Sequence, residues 1–357
     1  MTPFEQAAEL RRVGFSHSAH RDREWPAEAW QNLVDAGVTR WMIPIVYGGA
    51  EASAPELLAG CVELARIELT PVFILSQFQA ACQRIAGSLR EGPRQAWLPR
   101  LARGEAFATV GISHLTTSRQ HAGQPAVLAR PVAGGYRITG EIPWVTGAER
   151  ADVLVGGAAL EDGRQMLFTL PTDRPGITIA RPLDLLALTG SGTGPVLLDD
   201  VEVSDSEFLT DIVPKVLQQG ATGGAGSLTT SALAIGHAQG SIDRLARDVV
   251  TRPALGEIVR SFQEDIDRQR SRLLAAAESD VVPASSPLPT AETIRSDATS
   301  LALHASQALL TASKGAGFVT GHPAERLARE AMFFLVWSCP QAVSNRLLRD
   351  FSQCEAE

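Results

Sequence analysis

The hydrophobic period of the sequence changes twice along the chain, and this change limits the possible folds more than any other feature. Up to about residue 106, and again from about residue 227, apolar residues recur every three or four positions, which is typical of amphipathic helices. Between residue 107 and about residue 208 the chain has short strand-like runs separated by turn residues. Helices and strands are therefore segregated, and the sequence predicts an α+β protein with a central antiparallel barrel or sandwich.

Proline and glycine mark several of the predicted helix boundaries. Pro26 and Pro55 stand at the first positions of two helices, and Gly104 follows the end of a third. Four further helices are predicted to begin near residues 227, 255, 290 and 324. A Pro/Ser linker at 280–289 separates two of them, and Pro340 interrupts the last.

Two short turns predict hairpins in the central region. Gly134-Gly135 lies between two alternating runs, and residues 161–164, EDGR, lie between two more. The close spacing of these strands, with no helical pattern between them, favours antiparallel pairing.

The composition excludes several classes of function. With 357 residues, 45% of them hydrophobic and 20% charged, the chain can bury a large core. A net charge of −8 and a pI of about 5.5 disfavour binding to nucleic acid or to an anionic membrane. No apolar run approaches the roughly 18 residues of a membrane span, and the N-terminal MTPFEQAAELRR does not read as a signal peptide. We therefore expect a soluble, cytoplasmic protein.

The cysteines and histidines predict neither a disulfide framework nor a metal site. The four cysteines form no Cys-x-x-Cys pair, and their spacing fits no zinc module. The seven histidines are scattered, and the close pair His17 and His20 lies in a polar segment near the N-terminus. We expect free, mostly buried thiols in a reducing compartment and no bound metal.

Six stretches in a fixed order carry more information than any single motif. A dinucleotide-binding Gly-x-Gly-x-x-Gly, a P-loop, His-Glu-x-x-His and Gly-x-Ser-x-Gly are all missing from the sequence. The six stretches are WMIPIVYGGAEAS, WLPRLARGEAFATVGIS, GYRITGEIPWVTGAERADVLVG, TGSGTGPVLLDDVEV, TRPALGEIVRSFQ and KGAGFVTGHPAERLAREA.

Together these stretches resemble the acyl-CoA dehydrogenase superfamily over nearly the whole chain. The resemblance implies an N-terminal helical domain (1–106), a central antiparallel β-barrel (107–208) and a C-terminal four-helix bundle (209–357). It also implies FAD bound between the last two domains, and a homodimer or homotetramer assembled through the C-terminal bundle.

The tripeptide Trp144-Val145-Thr146 is open to two interpretations. On its residues alone, Trp144 is a core tryptophan at a strand corner or the wall of a pocket for a flat ligand. The resemblance implies the second: Trp144 lies against the isoalloxazine ring of FAD, and the hydroxyl of Thr146 hydrogen-bonds the reactive N5 edge.

The end of the first predicted strand matches a second cofactor-binding element of the family. Ile112 and Ser113 fall where the backbone and a Thr hydroxyl reach the flavin pyrimidine, with Ser in place of Thr. His114 and Leu115 replace the Glu-Pro that follows in the family. The next residues, TTSRQHAG, depart from the glycine-rich turn expected there, so no substrate contact is predicted from them.

The stretch TRPALGEIVRSFQ resembles the family's Arg-x-x-Phe-Gly motif with a Gln in the following helix. Arg252, Gly256 and Gln263 match it, and Leu255 replaces the Phe. The resemblance implies that Arg252 approaches the FAD pyrophosphate, often that of the neighbouring subunit, a role that suits the forked guanidinium group. The alternative is a solvated arginine at a helix start.

The turn before the last predicted helices resembles a Gln-x-x-Gly-Gly-x-Gly element that touches the cofactor. Gly315 and Gly317 match, Thr311 replaces the Gln, and Lys314 replaces the first Gly. The Lys314 side chain either pairs with phosphate or points to water.

The chain departs from the family at the catalytic base. The family's glutamate is matched by Ser338, and Trp337 falls at the preceding Tyr. Some members carry the base on the first C-terminal helix, where this chain has Thr230. Ser338 is thus the candidate catalytic residue by position, although a serine without a neighbouring His or Lys is a poor base. Glu141 and Asp184 are conceivable substitutes.

Three functions follow from these matches and departures. The first is α,β-dehydrogenation of an acyl thioester, carried by CoA or an acyl carrier protein, with a base from another position. The second is a flavin-dependent monooxygenase on the same fold, in which Phe333, Phe334 and Trp337 keep water from the flavin. The third is a catalytically inactive member of the family. The aromatic run that contains these residues is also consistent with helix core.

Overall fold

The computed structural model describes residues 1–14, 23–115, 125–218, 226–278 and 290–352. Five helices come before the first strand. They are α1 (Pro3–Val13), α2 (Ala27–Asp35), α3 (Ala54–Ala65), α4 (Leu69–Ala86) and α5 (Glu91–Ala102). Capping explains some of their ends: Thr2 and Glu5 form a reciprocal capping box at α1, and Ser53 and Glu56 form another at α3.

Seven strands follow and form one curled sheet. They are β1 (Ala108–Gly111), β2 (Val127–Val132), β3 (Gly135–Val145), β4 (Val153–Ala159), β5 (Gln165–Pro171), β6 (Ile177–Ile179) and β7 (Gly194–Ser204). Their order is β1-β4-β2-β3-β7-β6, and β5 pairs with β4. Alternate residues of the sheet enclose a separate apolar core that includes Ile142, Phe168 and Val203.

Five helices complete the described chain. They are α6 (Gly226–Arg247), α7 (Leu255–Glu278), α8 (Ala291–Ser313), α9 (Pro323–Phe333) and α10 (Gln341–Ser352). Helix α8 packs against α6, α7, α9 and α10, and α6 also packs against α3 of the N-terminal helices. The N- and C-terminal helices therefore share one continuous core.

Two glycines of α6 set the close approach of the helical regions. A Cβ at Gly236 would lie 2.3 Å from the carbonyl oxygen of Val62, and one at Gly240 would lie 2.4 Å from that of Arg66. Since carbon atoms do not approach backbone oxygens so closely, any side chain here would push α3 away from α6.

The predicted order of helices, strands and helices is confirmed. Both predicted hairpins are present, because Val132 pairs with Gly135 and Ala159 pairs with Gln165. The sheet also contains two parallel pairings, β1 with β4 and β2 with β4, which the spacing of the strands did not predict. Helix α9 ends at Phe333, seven residues before Pro340, so proline is not what ends it. The linker at 280–289 lies outside the described residues, and so do His17 and His20.

Two expected absences can be examined in the described part of the chain. No helix there is long and apolar enough to cross a membrane. No group of three or more His, Cys, Asp or Glu side chains in the described ranges is placed to hold a metal ion.

Candidate functional site

The end of β3 presents one exposed aromatic side chain beside two buried residues. The pairing register with β7 shifts between Ile142 and Val145, so Trp144 lies in an irregular part of the strand. Its side chain is 46% exposed, whereas Val145 is fully buried and Thr146 is 4% exposed. A tryptophan this exposed contributes little to the core, so the core interpretation of Trp144 does not describe this structure.

Buried hydroxyl groups hold the end of β3 in place. The Thr146 hydroxyl lies 3.0 Å from that of Thr193, which lies 2.8 Å from that of Ser191. Thr109 of β1 donates to the Thr146 carbonyl oxygen at 2.7 Å. These contacts fix the backbone that carries Trp144, so the indole is presented from a rigid position.

The residues after β1 lie beside this strand end. A Cβ at Gly111 would be only 2.7 Å from Ile142 and 2.9 Å from Val145, so the glycine allows β1 to approach β3 closely. Ile112 and Ser113 follow directly, and a short 3-10 turn begins at Ser113. The structure thus brings together the five predicted flavin-contacting residues of the sheet: Ile112, Ser113, Trp144, Val145 and Thr146.

His114, which replaces the glutamate of the family's Glu-Pro pair, makes a contact within the sheet. Its Nε2 lies 3.0 Å from the carbonyl oxygen of Gly157 on β4, and burial lowers its pKa. The neutral ring therefore ties the turn to the sheet. Residues 116–123, TTSRQHAG, lie outside the described residues.

A second group of predicted residues surrounds a cavity of about 640 Å³ in the helical bundle. Among its lining residues are Arg252, Leu255, Thr311 and Lys314, from the start of α7 and the end of α8. The rest of the lining is mostly apolar and includes Ile258. This volume lies within the range of small-molecule sites. Neither Trp144 nor Thr146 lines the cavity, so the two predicted groups do not share it within a single chain.

Arg252 is held by its own helices. One guanidinium nitrogen donates to the carbonyl oxygen of Ala312 at 2.6 Å, and another pairs with Asp248. Its side chain remains 40% exposed at the cavity. Arg252 is therefore not simply a solvated arginine, since it joins the start of α7 to the end of α8.

Gln263 is placed differently from Arg252. It exchanges hydrogen bonds with Gln239 of α6 at 2.9 and 3.1 Å and donates to Asp267 at 3.0 Å. It does not line the cavity. In this structure Gln263 links α6 to α7.

The two glycines of the turn after α8 have different surroundings. A Cβ at Gly317 would lie 2.5 Å from that of Ser313, so packing requires this glycine. A Cβ at Gly315 would meet no atom within 4 Å, so nothing in this chain requires that glycine. Gly315 leaves space next to Lys314 that a ligand or a second chain could enter.

The position of the expected base is an exposed turn. Ser338 follows α9 with a φ of 44°, and its side chain is exposed. Among the described residues its hydroxyl makes no hydrogen bond. Thr230 on α6 is fully buried, and Asp184 is exposed and paired with Arg23 at 3.1 Å.

Aromatic side chains and a buried arginine shape this turn. Trp337 stacks on Phe333 at 5.2 Å between ring centroids and meets Phe73 of α4 edge-on at 4.9 Å. Beneath them, fully buried Arg295 donates to the carbonyl oxygens of Phe334 and Trp337 at 2.7 and 3.0 Å. Burial lowers the pKa of Arg295 to about 10. Core packing, which is also consistent with the aromatic run, describes the fully buried Phe334 better than the half-buried Trp337.

A group of buried charges between the helical regions was not predicted from the sequence. We call it the buried seam: Glu63, Glu68, His237, Arg326 and Glu330, all at most 6% exposed. Arg326 pairs with Glu68 and lies 3.9 Å from Glu330, and Glu330 lies 3.6 Å from His237. Burial raises the pKa of Glu68 to about 7; Arg326 opposes the rise and Glu330 adds to it. The only signal in the sequence is a pair of glutamates within an apolar helical run.

The residues at both predicted groups suit FAD. An exposed indole on a fixed strand end can cover a flat ring, and cationic side chains at a cavity can pair with phosphate. The open space at Gly315 allows a ligand to approach the backbone.

Comparison with known proteins places the chain among flavoenzymes. The family model for the N-terminal domain of acyl-CoA dehydrogenases matches residues 8–105. The probable acyl-CoA dehydrogenase YngJ of Bacillus subtilis (strain 168) is 28% identical over 282 residues, which cover 73% of each chain.

Two solved structures share the fold over nearly the full length. Butyryl-CoA dehydrogenase from Megasphaera elsdenii superposes with a TM-score of 0.84 at 18% identity, covering 98% of this chain and 97% of that one. Dibenzothiophene monooxygenase from Paenibacillus sp. A11-2 superposes with a TM-score of 0.80 at 18% identity, covering 99% and 98%. The family model, the sequence likeness and the fold agree, and together they support the acyl-CoA dehydrogenase superfamily of flavoenzymes.

Proposed function

We propose that this chain binds FAD and oxidises an acyl thioester by α,β-dehydrogenation. The observation that carries the proposal is Trp144, an indole held exposed at the end of a strand whose neighbouring residues are buried and hydrogen-bonded. The sequence likeness to a probable acyl-CoA dehydrogenase supports the class of reaction.

The chain's own residues would divide the binding of FAD between them. The indole of Trp144 would pack against the ring system, and Ile112 and Ser113 would contact its pyrimidine part. Thr146 would supply a hydroxyl to the ring, and Arg252 would offer its guanidinium to the pyrophosphate. When bound, FAD supplies the capacity to accept two electrons from the substrate. Gln263, which bonds to Gln239, would act by holding α7 in place.

Dehydrogenation also needs a group to take the α-proton, and the chain offers no ordinary one. Ser338 stands at the family's position, yet the described residues give its hydroxyl no hydrogen-bonded partner that would activate it. Removal of the α-proton is therefore the step in which this chain departs most from its family.

The lack of a carboxylate at the family's position favours a second candidate, a flavin-dependent monooxygenase. Such an enzyme needs no base for an α-proton, and the cluster of Phe73, Phe333 and Trp337 puts apolar surface where the family has a carboxylate. Apolar side chains there would exclude water from the reacting centre. The fold likeness to dibenzothiophene monooxygenase is consistent with this candidate.

We further infer the substrate class and assembly from the family, and the location from the composition. The substrate is an acyl group on CoA or on an acyl carrier protein, and the chain works in the cytoplasm as a homodimer or homotetramer. A second chain would also account for the separation between Trp144 and the cavity at Arg252, because each site could then draw on both chains.

An anaerobic titration separates the candidates. The FAD-loaded protein is mixed with a panel of acyl-CoAs and acyl carrier protein thioesters, and flavin absorbance is followed. Bleaching by substrate alone is the expected result. If the flavin stays oxidised, reduced FAD and O₂ are supplied next, and a hydroxylated product would establish the monooxygenase. Bound flavin that is inert in both assays would identify an inactive member.

A further inference from the structure

Lys314 has a backbone conformation that side chains rarely adopt. It follows the last residue of α8 with φ 55° and ψ −151°. This region is nearly restricted to glycine, because a Cβ collides there with the neighbouring backbone. A lysine here costs folding free energy, so the chain keeps it against its own stability.

The ammonium group of Lys314 has no partner in the described part of the chain. Lys314 lines the 640 Å³ cavity, and among the described residues its side chain makes no ion pair or hydrogen bond. Arg252, across the same cavity, is already engaged by Asp248 and by the carbonyl oxygen of Ala312. Lys314 is therefore the cation at this cavity whose charge no described residue offsets.

The use of lysine at this position is unusual for the chain. Of its 32 Lys and Arg residues, only Lys215 and Lys314 are lysines. A lysine carries a compact point charge with three donors on a flexible stem, which suits a phosphate whose position the backbone does not fix. Gly315 beside it leaves open space rather than a side chain.

We propose that Lys314 is a phosphate-binding residue of the nucleotide part of the cofactor. It takes a share of the phosphate charge that Arg252, already paired, cannot neutralise alone. The proposal rests on the proposed function only in naming FAD; an unpartnered cation in a strained conformation at a cavity points to an anionic ligand by itself.

Binding and stability measured on the same variants test the proposal. Affinity for FAD and for ADP is measured by calorimetry on the full-length protein freed of flavin, and unfolding is followed without ligand. Lys314→Met should weaken binding of both ligands about tenfold, the usual effect of losing one charge-assisted hydrogen bond. Lys314→Arg should keep most of the affinity.

Lys314→Gly separates binding from strain. It should weaken the binding of FAD and ADP as much as Lys314→Met does. It should also raise the melting temperature of the unliganded protein by about 1–2 °C, because glycine accepts this conformation. Lys215 is the matched control, since it too has a positive φ of 49° but lies far from the cavity in sequence and does not line it. Lys215→Met should leave both affinities unchanged.

The outcomes distinguish this proposal from the proposed function. If Lys314→Met and Lys314→Gly bind FAD and ADP as tightly as the unmodified protein does, Lys314 does not bind phosphate, and the flavoenzyme proposal stands. If the unmodified protein binds neither FAD nor ADP, both proposals are wrong. The affinity for FAD should fall more steeply with salt in the unmodified protein than in Lys314→Met, and equal slopes would argue against the phosphate contact.

Discussion

The buried seam and the cavity at Arg252 both contain cations of the helical bundle, but their charges are used differently. In the buried seam Arg326 is 6% exposed and lies between two carboxylates of its own chain. At the cavity Lys314 is exposed and has no partner among the described residues. A charge neutralised inside the chain holds elements together, whereas a charge left open at a cavity is available to a ligand.

The largest predicted effect is a loss of stability on removing Arg326, the central cation of the buried seam. Arg326→Met leaves Glu68 and Glu330 buried without their shared partner, so the free energy of unfolding should fall by about 3–5 kcal/mol. Urea denaturation measures it. Arg12→Met, which breaks an exposed pair with Glu9, is the control and should change little. Equal effects of the two substitutions would contradict the distinction between buried and open charges.

The next effect is a pH dependence of stability that comes from Glu68. Its pKa of about 7 in the fold exceeds the ordinary value of 4.5. Its contribution to the free energy of unfolding is therefore full below pH 4.5 and is lost as the pH rises through about 7. The charges facing it are Arg326 and Glu330 from α9 and Arg244 from α6. Relative to Glu68→Gln, the unmodified protein should lose stability on the order of 2 kcal/mol between pH 5 and pH 8.

Parallel denaturation curves at several pH values for the two proteins measure this difference. A difference that stays constant across the range would mean that Glu68 is already ionised at pH 5, held so by Arg326.

At the cavity, Arg252→Ala should act on binding more than on stability. Loss of the guanidinium should weaken FAD about tenfold, or about 1.4 kcal/mol, since one charged hydrogen-bond partner of the phosphate is gone. Flavin fluorescence on titration measures the affinity. Arg260→Ala, also on α7 but outside the cavity lining, is the control and should bind FAD normally. Unchanged affinity in Arg252→Ala would remove Arg252 from the site.

The smallest effect is expected from restoring a side chain that the family has and this chain lacks. Thr311 lines the cavity near the end of α8. Thr311→Gln adds an amide that can reach the cofactor, and we expect FAD to bind about threefold tighter, an effect of one neutral hydrogen bond. Weaker binding would show that the cavity of this chain has adapted to the smaller side chain.

The fold was predictable because its signals are local. The periods of helices and strands can be recognised from neighbouring residues alone. Glycines mark the two tight turns, where Gly134 and Gly163 have positive φ values of 80° and 83°. The parallel pairing of β1 with β4 was not predictable, because Ala108 and Val153 are brought together only by the complete sheet. The domain division at residues 106 and 208 stays a prediction.

The candidate site was predictable only in part, and for a related reason. The resemblance placed Arg252 and the turn after α8 at the cofactor, and the structure puts Arg252 and Lys314, but neither glycine of the turn, around one cavity. The strain at Lys314 depends on backbone angles that no residue pattern reveals. The buried seam was missed because Glu63 and Glu68 look like surface charges until α6 and α9 cover them.

The buried seam also imposes an order on the making of this protein. Glu68 and Arg326 are separated by 258 residues, and Glu63 and Arg270 by 207. As the chain leaves the ribosome from its N-terminus, Glu63 soon has Arg11 and Arg66 as partners, whereas Arg326, the partner of Glu68, is synthesised near the end. We therefore expect the corner between α3 and α4 to reach its final buried place only when α9 supplies that arginine.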